Sequence, residues 1–162
     1  MRGYLGLGSN VGDRLAHLRA ARAAIAADPD VEVVSSSAVY ETEPQDDAVG
    51  QADFLNACLA IETELGALEL LDRCKAVERS LGRSPGGPRH APRTIDVDLL
   101  LLGSLELDHE RLTLPHPGIE QRRFVLVPLL ELDARLALPG GVALSTALDR
   151  IEGQRVSAVG TL

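Results

Sequence analysis

Two segments with apolar residues at helical spacing alternate with runs that are typical of β-strands, and this order restricts the folds that the chain can adopt. Apolar residues at helical spacing predict one helix after Asp13, ended by Asp28-Pro29-Asp30, and a second from Leu68 to Leu81, ended by Gly82. Apolar and β-branched runs predict strands at Tyr4–Leu7, Val31–Tyr40, Phe54–Thr63 and Thr94–Leu102. The order strand, helix, strand, strand, helix, strand suits an α+β sandwich with a mostly antiparallel sheet.

The remaining segments predict loops, turns and short elements. Polar or Pro/Gly-rich composition predicts loops at Pro44–Asp53 and Ser84–Pro92. Weaker patterns predict a short hairpin return at Glu106–Leu107, a turn at Pro115-His116-Pro117, and short helices at Phe124–Leu132 and Leu144–Ile151. The chain shows no internal repeat, and its 162 residues fit a single domain, 1–162.

Composition and charge restrict the kinds of partner and compartment expected for this chain. The net charge of −8 disfavours binding to nucleic acid or to anionic lipid. The longest apolar stretches are far too short to span a bilayer, and the start of the chain has no long apolar leader. Two cysteines cannot form a disulfide framework. We therefore expect a cytoplasmic protein without a membrane or nucleic-acid partner. We also expect a monomer, although none of these features determines the oligomeric state.

The strongest local signal is the pair Asp96 and Asp98 in the predicted strand after Arg93-Thr94. Residues i and i+2 of a strand point to the same face, so their Cα atoms lie about 6–7 Å apart. Two carboxylates that close repel each other, and a divalent cation such as Mg²⁺ relieves the repulsion. The alternative is an exposed strand with two solvated carboxylates; the Pro/Gly-rich loop before the strand favours the metal site.

A second signal is the glycine-rich turn Gly6–Arg14. Its spacing matches neither a dinucleotide fingerprint nor a phosphate-binding loop. Missing side chains at a strand end would let a flat ligand approach the backbone, although an ordinary strand-to-helix turn explains the glycines equally well.

Further candidates flank this turn. Thr42 and Asn56 offer a hydroxyl and an amide to the edge of a heterocycle, and Phe54 and Phe124 could sandwich a flat ring unless both belong to the core. His116, with a nearby arginine at position 122, could contact phosphate oxygens, although a histidine in a turn is more often a plain surface residue.

Taken together, and in this order, the motifs resemble those of the hydroxymethyl-dihydropterin pyrophosphokinases of folate biosynthesis. The hallmark is RHAPRTIDVDLL at residues 89–100. It is supported by GLGSNVGDR at 6–14, YETEP at 40–44, QADFLN at 51–56, VERSLGR at 77–83, LPHP at 114–117 and RRFVLVPL at 122–129. The resemblance runs from about Tyr4 to Leu130.

The resemblance implies a ferredoxin-like α+β fold with helices on both faces of the sheet. It implies transfer of a diphosphoryl group from ATP to the hydroxymethyl group of the pterin, with release of AMP, and two Mg²⁺ ions. The residues it assigns to catalysis are Arg83, Arg93, Asp96 and Asp98, with the two aspartates holding the metals. On the pterin side it assigns Gly8, Thr42, Pro44, Phe54, Asn56, His90 and Phe124. On the ATP side it assigns Glu78, Arg89, Arg93, Arg111, Thr113, His116 and Arg122.

The chain departs from the family pattern at three positions. His90 stands where the family usually has Trp, Pro85 where some members have Arg, and Pro117 where an aromatic residue is frequent. A smaller ring at position 90 is expected to cover the pterin less well. Two other functions compete with the resemblance: nucleotidyl transfer, which would release diphosphate, and binding without catalysis, which would not need both aspartates.

Overall fold

A computed structural model describes residues 1–44, 50–82 and 94–162 of the chain. Its elements in chain order are β1 (Arg2–Ser9), α1 (Arg14–Ala26), β2 (Val31–Ser36), β3 (Ala38–Thr42), β4 (Phe54–Thr63), α2 (Ala67–Ser80), β5 (Asp96–Leu102), β6 (Leu107–His109), β7 (Leu112–Leu114), α3 (Arg123–Leu132), α4 (Leu144–Asp149) and β8 (Val156–Thr161).

The main sheet has the order β5-β1-β4-β3-β8, with β2 also paired to β4, and every one of these pairings is antiparallel. β1 and β4 are central and almost entirely buried, because helices cover both of their faces. The predicted α+β sandwich with a mostly antiparallel sheet is therefore confirmed.

Alternation along the strands divides the apolar residues between two cores. One core packs α1 and α2 against the sheet and contains Leu5, Leu7 and Leu59. The other packs α3 and α4 against the opposite face and contains Tyr4 and Leu100. We call these the α1/α2 face and the α3/α4 face of the sheet.

Local signals placed the helix ends correctly. The Asp13 carboxylate caps α1 by accepting a hydrogen bond from Ala16 N at 3.1 Å. Gly82 follows the C-cap of α2 with a φ of +100°, a conformation that favours glycine. Among the described residues, no helix combines the length and the apolar character needed to cross a membrane.

Two predicted elements differ from the structure, and one strand was not predicted. The single strand predicted over Val31–Tyr40 is broken at Ser37, whose hydroxyl donates to Ala38 O and accepts from Cys58 N. The residues after Gly103 do not return to β5; β6 and β7 instead pair with each other. The chain also continues beyond α4 into β8, which the sequence analysis missed.

Strand β8 escaped prediction for a physical reason. It lies at the edge of the sheet and is largely exposed, so it carries no alternation of buried and polar residues. The predicted loop at Ser84–Pro92, and residues 45–49 of the predicted loop at Pro44–Asp53, lie outside the described residues.

Candidate active site

Three strands bring a row of polar residues together on the α3/α4 face. Gly8 in β1 lies opposite Asn56 in β4 on one side and opposite Asp96 in β5 on the other. Residues directly opposite each other in antiparallel strands share a face, so Asn56 and Asp96 flank the glycine on the same surface. One step further along, Gly6 separates Cys58 from Asp98 in the same way.

The absence of a side chain at Gly8 is required by its neighbour. A Cβ atom at this position would lie 2.8 Å from Asn56 Oδ1, closer than carbon and oxygen atoms approach. At Gly6 the nearest atom to such a Cβ is the flexible end of Leu100, at 3.4 Å. The two glycines are therefore not equivalent, and Gly8 is the one that the site depends on.

On the β4 side of this row, Asn56 and Thr42 form a buried polar pair. Asn56 Nδ2 donates to Thr42 Oγ1 at 2.6 Å, and the two residues are 8% and 2% exposed. Phe54 lies opposite Thr42 in the β3–β4 ladder, and Pro44 follows two residues after Thr42, half-buried. The structure thus brings together four of the residues predicted for the pterin side, next to Gly8.

The β5 side of the row carries the paired carboxylates. Asp96 is 9% exposed, and Asp98 follows on the same face of the strand. Burial raises the pKa of Asp98 to about 6, and the negative charges of Asp96 and Glu78 act in the same direction. The strand therefore concentrates negative charge in a poorly solvated place, an arrangement that a divalent cation stabilises.

The donor set fits Mg²⁺. This ion prefers oxygen ligands and is commonly held by one or two protein carboxylates together with water and substrate phosphates. Within the described ranges, no group of three or more histidine, cysteine and acidic side chains is placed to hold a metal by itself. Asp96 and Asp98 are thus of the ligand type, and within the ligand number, that Mg²⁺ commonly takes from a protein.

Glu78 of α2 binds the backbone of β5 between the two aspartates. Its carboxylate is 2% exposed, and Oε2 accepts a hydrogen bond at 2.9 Å from the backbone N–H of Val97, the residue between the two aspartates. Oε1 pairs with Lys75 Nζ at 3.1 Å. Through these contacts α2 holds the outer edge of β5 next to the acid pair, and the predicted place of Glu78 near the nucleotide stays a prediction.

His116 and Arg122 lie on the segment between β7 and α3. The ring Nδ1 of His116 accepts from Gly118 N at 3.1 Å, which leaves the proton of the neutral ring on Nε2. Burial, with a smaller contribution from Arg122, lowers the pKa of His116 to about 4. The ring is therefore uncharged at neutral pH and can still donate one hydrogen bond.

Arg122 and Phe124 mark the start of α3. The Arg122 guanidinium lies 5.9 Å from the centroid of the Phe124 ring, within the range of a cation–π contact. Its positive charge also acts on Asp98, where it opposes the rise in pKa. Phe124 is partly buried against the α3/α4 core. Arg122 therefore lies close enough to the acid pair for its charge to act on Asp98.

Two residues predicted for the ATP side, Arg111 and Thr113, lie on the β6–β7 hairpin. Thr113 is exposed, and the guanidinium of Arg111 forms an ion pair with Asp72 of α2. Four predicted site residues, Arg83, Arg89, His90 and Arg93, lie outside the described residues, so their assigned roles stay predictions.

Two residues that border the site carried no sequence signal. Gln154 and Arg155, just before β8, contact the start of α3 and the two ends of the β3–β4 connection. Their partners are between 31 and 112 residues away in the chain, so no local spacing could have revealed them.

Comparison with known proteins identifies the family. The family model described as 7,8-dihydro-6-hydroxymethylpterin-pyrophosphokinase (HPPK) matches residues 4–134. The chain is 43% identical over 158 residues to a 2-amino-4-hydroxy-6-hydroxymethyldihydropteridine pyrophosphokinase of Methylorubrum extorquens, covering 98% of both chains. It is 42% identical over 132 residues to the protein of the same name in Bacillus subtilis, covering 80% of this chain and 76% of that one. The chain therefore belongs to the HPPK family.

Solved structures agree on the fold. A Plasmodium falciparum HPPK-DHPS superposes on 92% of this chain with a TM-score of 0.64 and 11% identity. This chain spans 43% of the length of that protein. At this level of identity the superposition supports the architecture of the sandwich alone.

Proposed function

We propose that this protein transfers a diphosphoryl group from ATP to the hydroxymethyl group of 6-hydroxymethyl-7,8-dihydropterin, a step in tetrahydrofolate biosynthesis. The products are AMP and the pterin diphosphate. The observation that carries the proposal is the row formed by Asn56, Gly8 and Asp96 across three adjacent strands. It places the buried amide and hydroxyl of Asn56 and Thr42 directly beside a pair of carboxylates.

The pterin binds on the β4 side of this row. Thr42 and Asn56 present a hydroxyl and an amide to the edge of the heterocycle, and the missing side chain at Gly8 lets the Asn56 amide lie against the β1 backbone. Phe54 and Phe124 stack against its two faces. Pro44 and His90 complete the wall of this pocket.

Asp96 and Asp98 hold Mg²⁺, and we propose two ions. When bound, the cations neutralise the charge on the phosphate oxygens, which is the main requirement of phosphoryl-type transfer. Asp98 keeps its carboxylate poorly solvated, so its negative charge is available to a cation rather than to water.

The remaining residues bind ATP and its phosphates. His116 donates from Nε2 to a phosphate oxygen, and Arg122 adds positive charge next to the acid pair. Arg83 and Arg93 steady the charge that develops during transfer, and Glu78 keeps β5 in place. Arg89, Arg111 and Thr113 complete the ATP side.

Product analysis tests the reaction. The purified protein is incubated with ATP, Mg²⁺ and the reduced pterin, and the nucleotide product is identified by chromatography. Formation of AMP together with a pterin diphosphate supports the proposal. Release of inorganic diphosphate would indicate nucleotidyl transfer instead, and unchanged ATP would leave only a binding protein.

We further propose that residues 1–162 act as one pyrophosphokinase domain, as a monomer in the cytoplasm, without nucleic-acid or membrane partners. The net charge of −8 supports the absence of polyanionic partners. Light scattering coupled to gel filtration tests the oligomeric state: a mass near 17.2 kDa is expected for the monomer, and twice that mass would refute it.

A further inference from the structure

We propose that Gln154 and Arg155 are positioning residues for the pterin pocket. The two residues are adjacent in the chain, and each binds a different wall of that pocket. They lie beyond residue 134, where the match to the family model ends. The inference rests on the proposed function, because it concerns the spacing of the two aromatic rings that are assigned to the pterin.

Gln154 fixes the wall that carries Phe124. The N-cap residue of α3, Arg122, makes no side-chain capping bond. Instead, Gln154 Oε1 accepts from the first backbone N–H of the helix, at Arg123, at 2.9 Å, and Gln154 Nε2 donates to Gln121 O at 3.0 Å. The Gln154 amide therefore binds the backbone on both sides of Arg122, and its contact at Arg123 immediately precedes Phe124.

Arg155 fixes the wall that carries Phe54 and Thr42. Its guanidinium donates to Asp53 Oδ2 at 2.6 Å, and Asp53 directly precedes Phe54. Its backbone N–H donates to Glu43 Oε1 at 3.0 Å, and Glu43 directly follows Thr42. One residue thus joins both ends of the connection between β3 and β4.

Neighbouring contacts make this link stiff. Arg14 donates to Asp53 O and to Glu41 Oε2, both at 2.9 Å, so the β3–β4 wall is held from a second side. Gly153, with a φ of +78°, turns the chain into position, and the ladder between Val156 and Thr42 begins immediately afterwards. The segment at 154–155 therefore has little freedom to follow a wall that moves.

The consequence for binding follows from the geometry of stacking. A flat ring held between two aromatic side chains gains full contact only if both rings lie at the correct spacing. Because one peptide unit connects the walls, the spacing is set before the ligand arrives, and less binding free energy is lost to ordering the pocket. Breaking the link should weaken pterin binding while the acid pair on β5 stays in place.

Steady-state kinetics of the full chain with ATP, Mg²⁺ and the reduced pterin test the role. Arg155→Ala is expected to raise the KM for the pterin about fivefold, the effect of a partly exposed ion pair, and Gln154→Ala about tenfold, the effect of two hydrogen bonds. For both, the KM for ATP and kcat are expected to stay within about twofold of wild type. Arg155→Lys keeps a charge for Asp53 and is expected to restore most of the pterin affinity.

The two residues lie on one path between the walls, which gives a sharper test. Arg155→Ala loosens this path but keeps the backbone bond to Glu43, whereas Gln154→Ala removes both bonds to the start of α3. Once the contact with α3 is lost, the Arg155 side chain no longer couples the walls, so the double variant is expected to raise the KM for the pterin no more than Gln154→Ala does. Glu152→Ala, an exposed neighbour in the same segment, is the matched control and should change neither KM nor the melting temperature.

Several results would overturn the role. These are a wild-type KM for the pterin in both single variants, an equal rise of KM for both substrates, a double variant with the product of the single effects, or no rescue by Arg155→Lys. If the wild-type protein forms no AMP, the proposed function fails; if it is active and the variants match it, only the positioning role fails.

Discussion

Gly8→Ala is the most direct test of the site geometry. The new methyl group would lie 2.8 Å from Asn56 Oδ1 and 3.8 Å from Phe54 Cδ1, so Asn56 must move. Asn56 is buried and donates to Thr42 Oγ1, and a shift therefore strains or breaks that hydrogen bond.

The magnitude follows from three contributions. Overpacking a buried site costs about 1–3 kcal/mol, and loss of the hydrogen bond adds about 1 kcal/mol. Replacing glycine restricts the unfolded chain, which returns about 0.5–1 kcal/mol. We expect the free energy of unfolding to fall by about 1–3.5 kcal/mol, and the KM for the pterin to rise because the donor pair is displaced.

Gly6→Ala is the matched control two residues away on the same strand face. Its methyl group would meet only the end of Leu100, at 3.4 Å, an ordinary contact that a flexible side chain can relieve. We expect a change of less than about 1 kcal/mol. Urea unfolding followed by circular dichroism measures both variants, and pterin titration measures binding. Equal destabilisation by the two alanines, or unchanged pterin binding by Gly8→Ala, would refute the geometry.

Three further predictions concern the acids and the buried histidine. Asp98→Ala should lower turnover about a thousandfold or more through loss of cation binding, whereas Asp108→Ala on the exposed β6 strand should leave it unchanged; equal rates for the two would contradict the metal site. Glu78→Leu leaves the buried N–H of Val97 without its acceptor and should lower the free energy of unfolding in urea by about 1–3 kcal/mol; a loss below about 0.5 kcal/mol would argue against the β5 support. Because the pKa of His116 is lowered from 6.5 to about 4, the unfolded chain binds a proton that the folded chain does not. Stability conferred by the neutral ring is complete above pH 6.5 and is lost as pH falls towards 4, so His116→Gln should flatten the pH dependence of the melting temperature in that window; parallel profiles would show that another group is responsible.

Much of the fold could be predicted because its signals are local. The Asp13 cap and the run Phe54–Thr63 depend on neighbours within a few residues, and both agree with the structure. The break at Ser37 depends on Cys58, 21 residues away, and the edge strand β8 depends on pairing rather than on burial. Neither leaves a periodic pattern in the sequence, so neither could be predicted from it.

The candidate site was predictable in part for the same reason. Strand alternation was enough to place Asp96 and Asp98 on one face. The alignment of Asp96 with Gly8 and Asn56 is set by the ladder register, which a single sequence does not encode locally. The predicted contacts of Arg83 and Arg93 lie outside the described residues and stay predictions.

The position of the acid pair also explains why β1 carries glycines opposite the two aspartates. On the α3/α4 face, Tyr4 and Leu100 belong to the apolar core, and the side chains end at Gly6 and Gly8 on the same strand face. The acids therefore lie where the core stops, close enough to apolar groups that burial raises the pKa of Asp98. Larger residues at both glycines would extend the core and cover the acids, and polar ones would solvate them. Glycine at position 8 instead lets the Asn56 amide lie against the β1 backbone, so that the amide and the carboxylates share one poorly solvated surface.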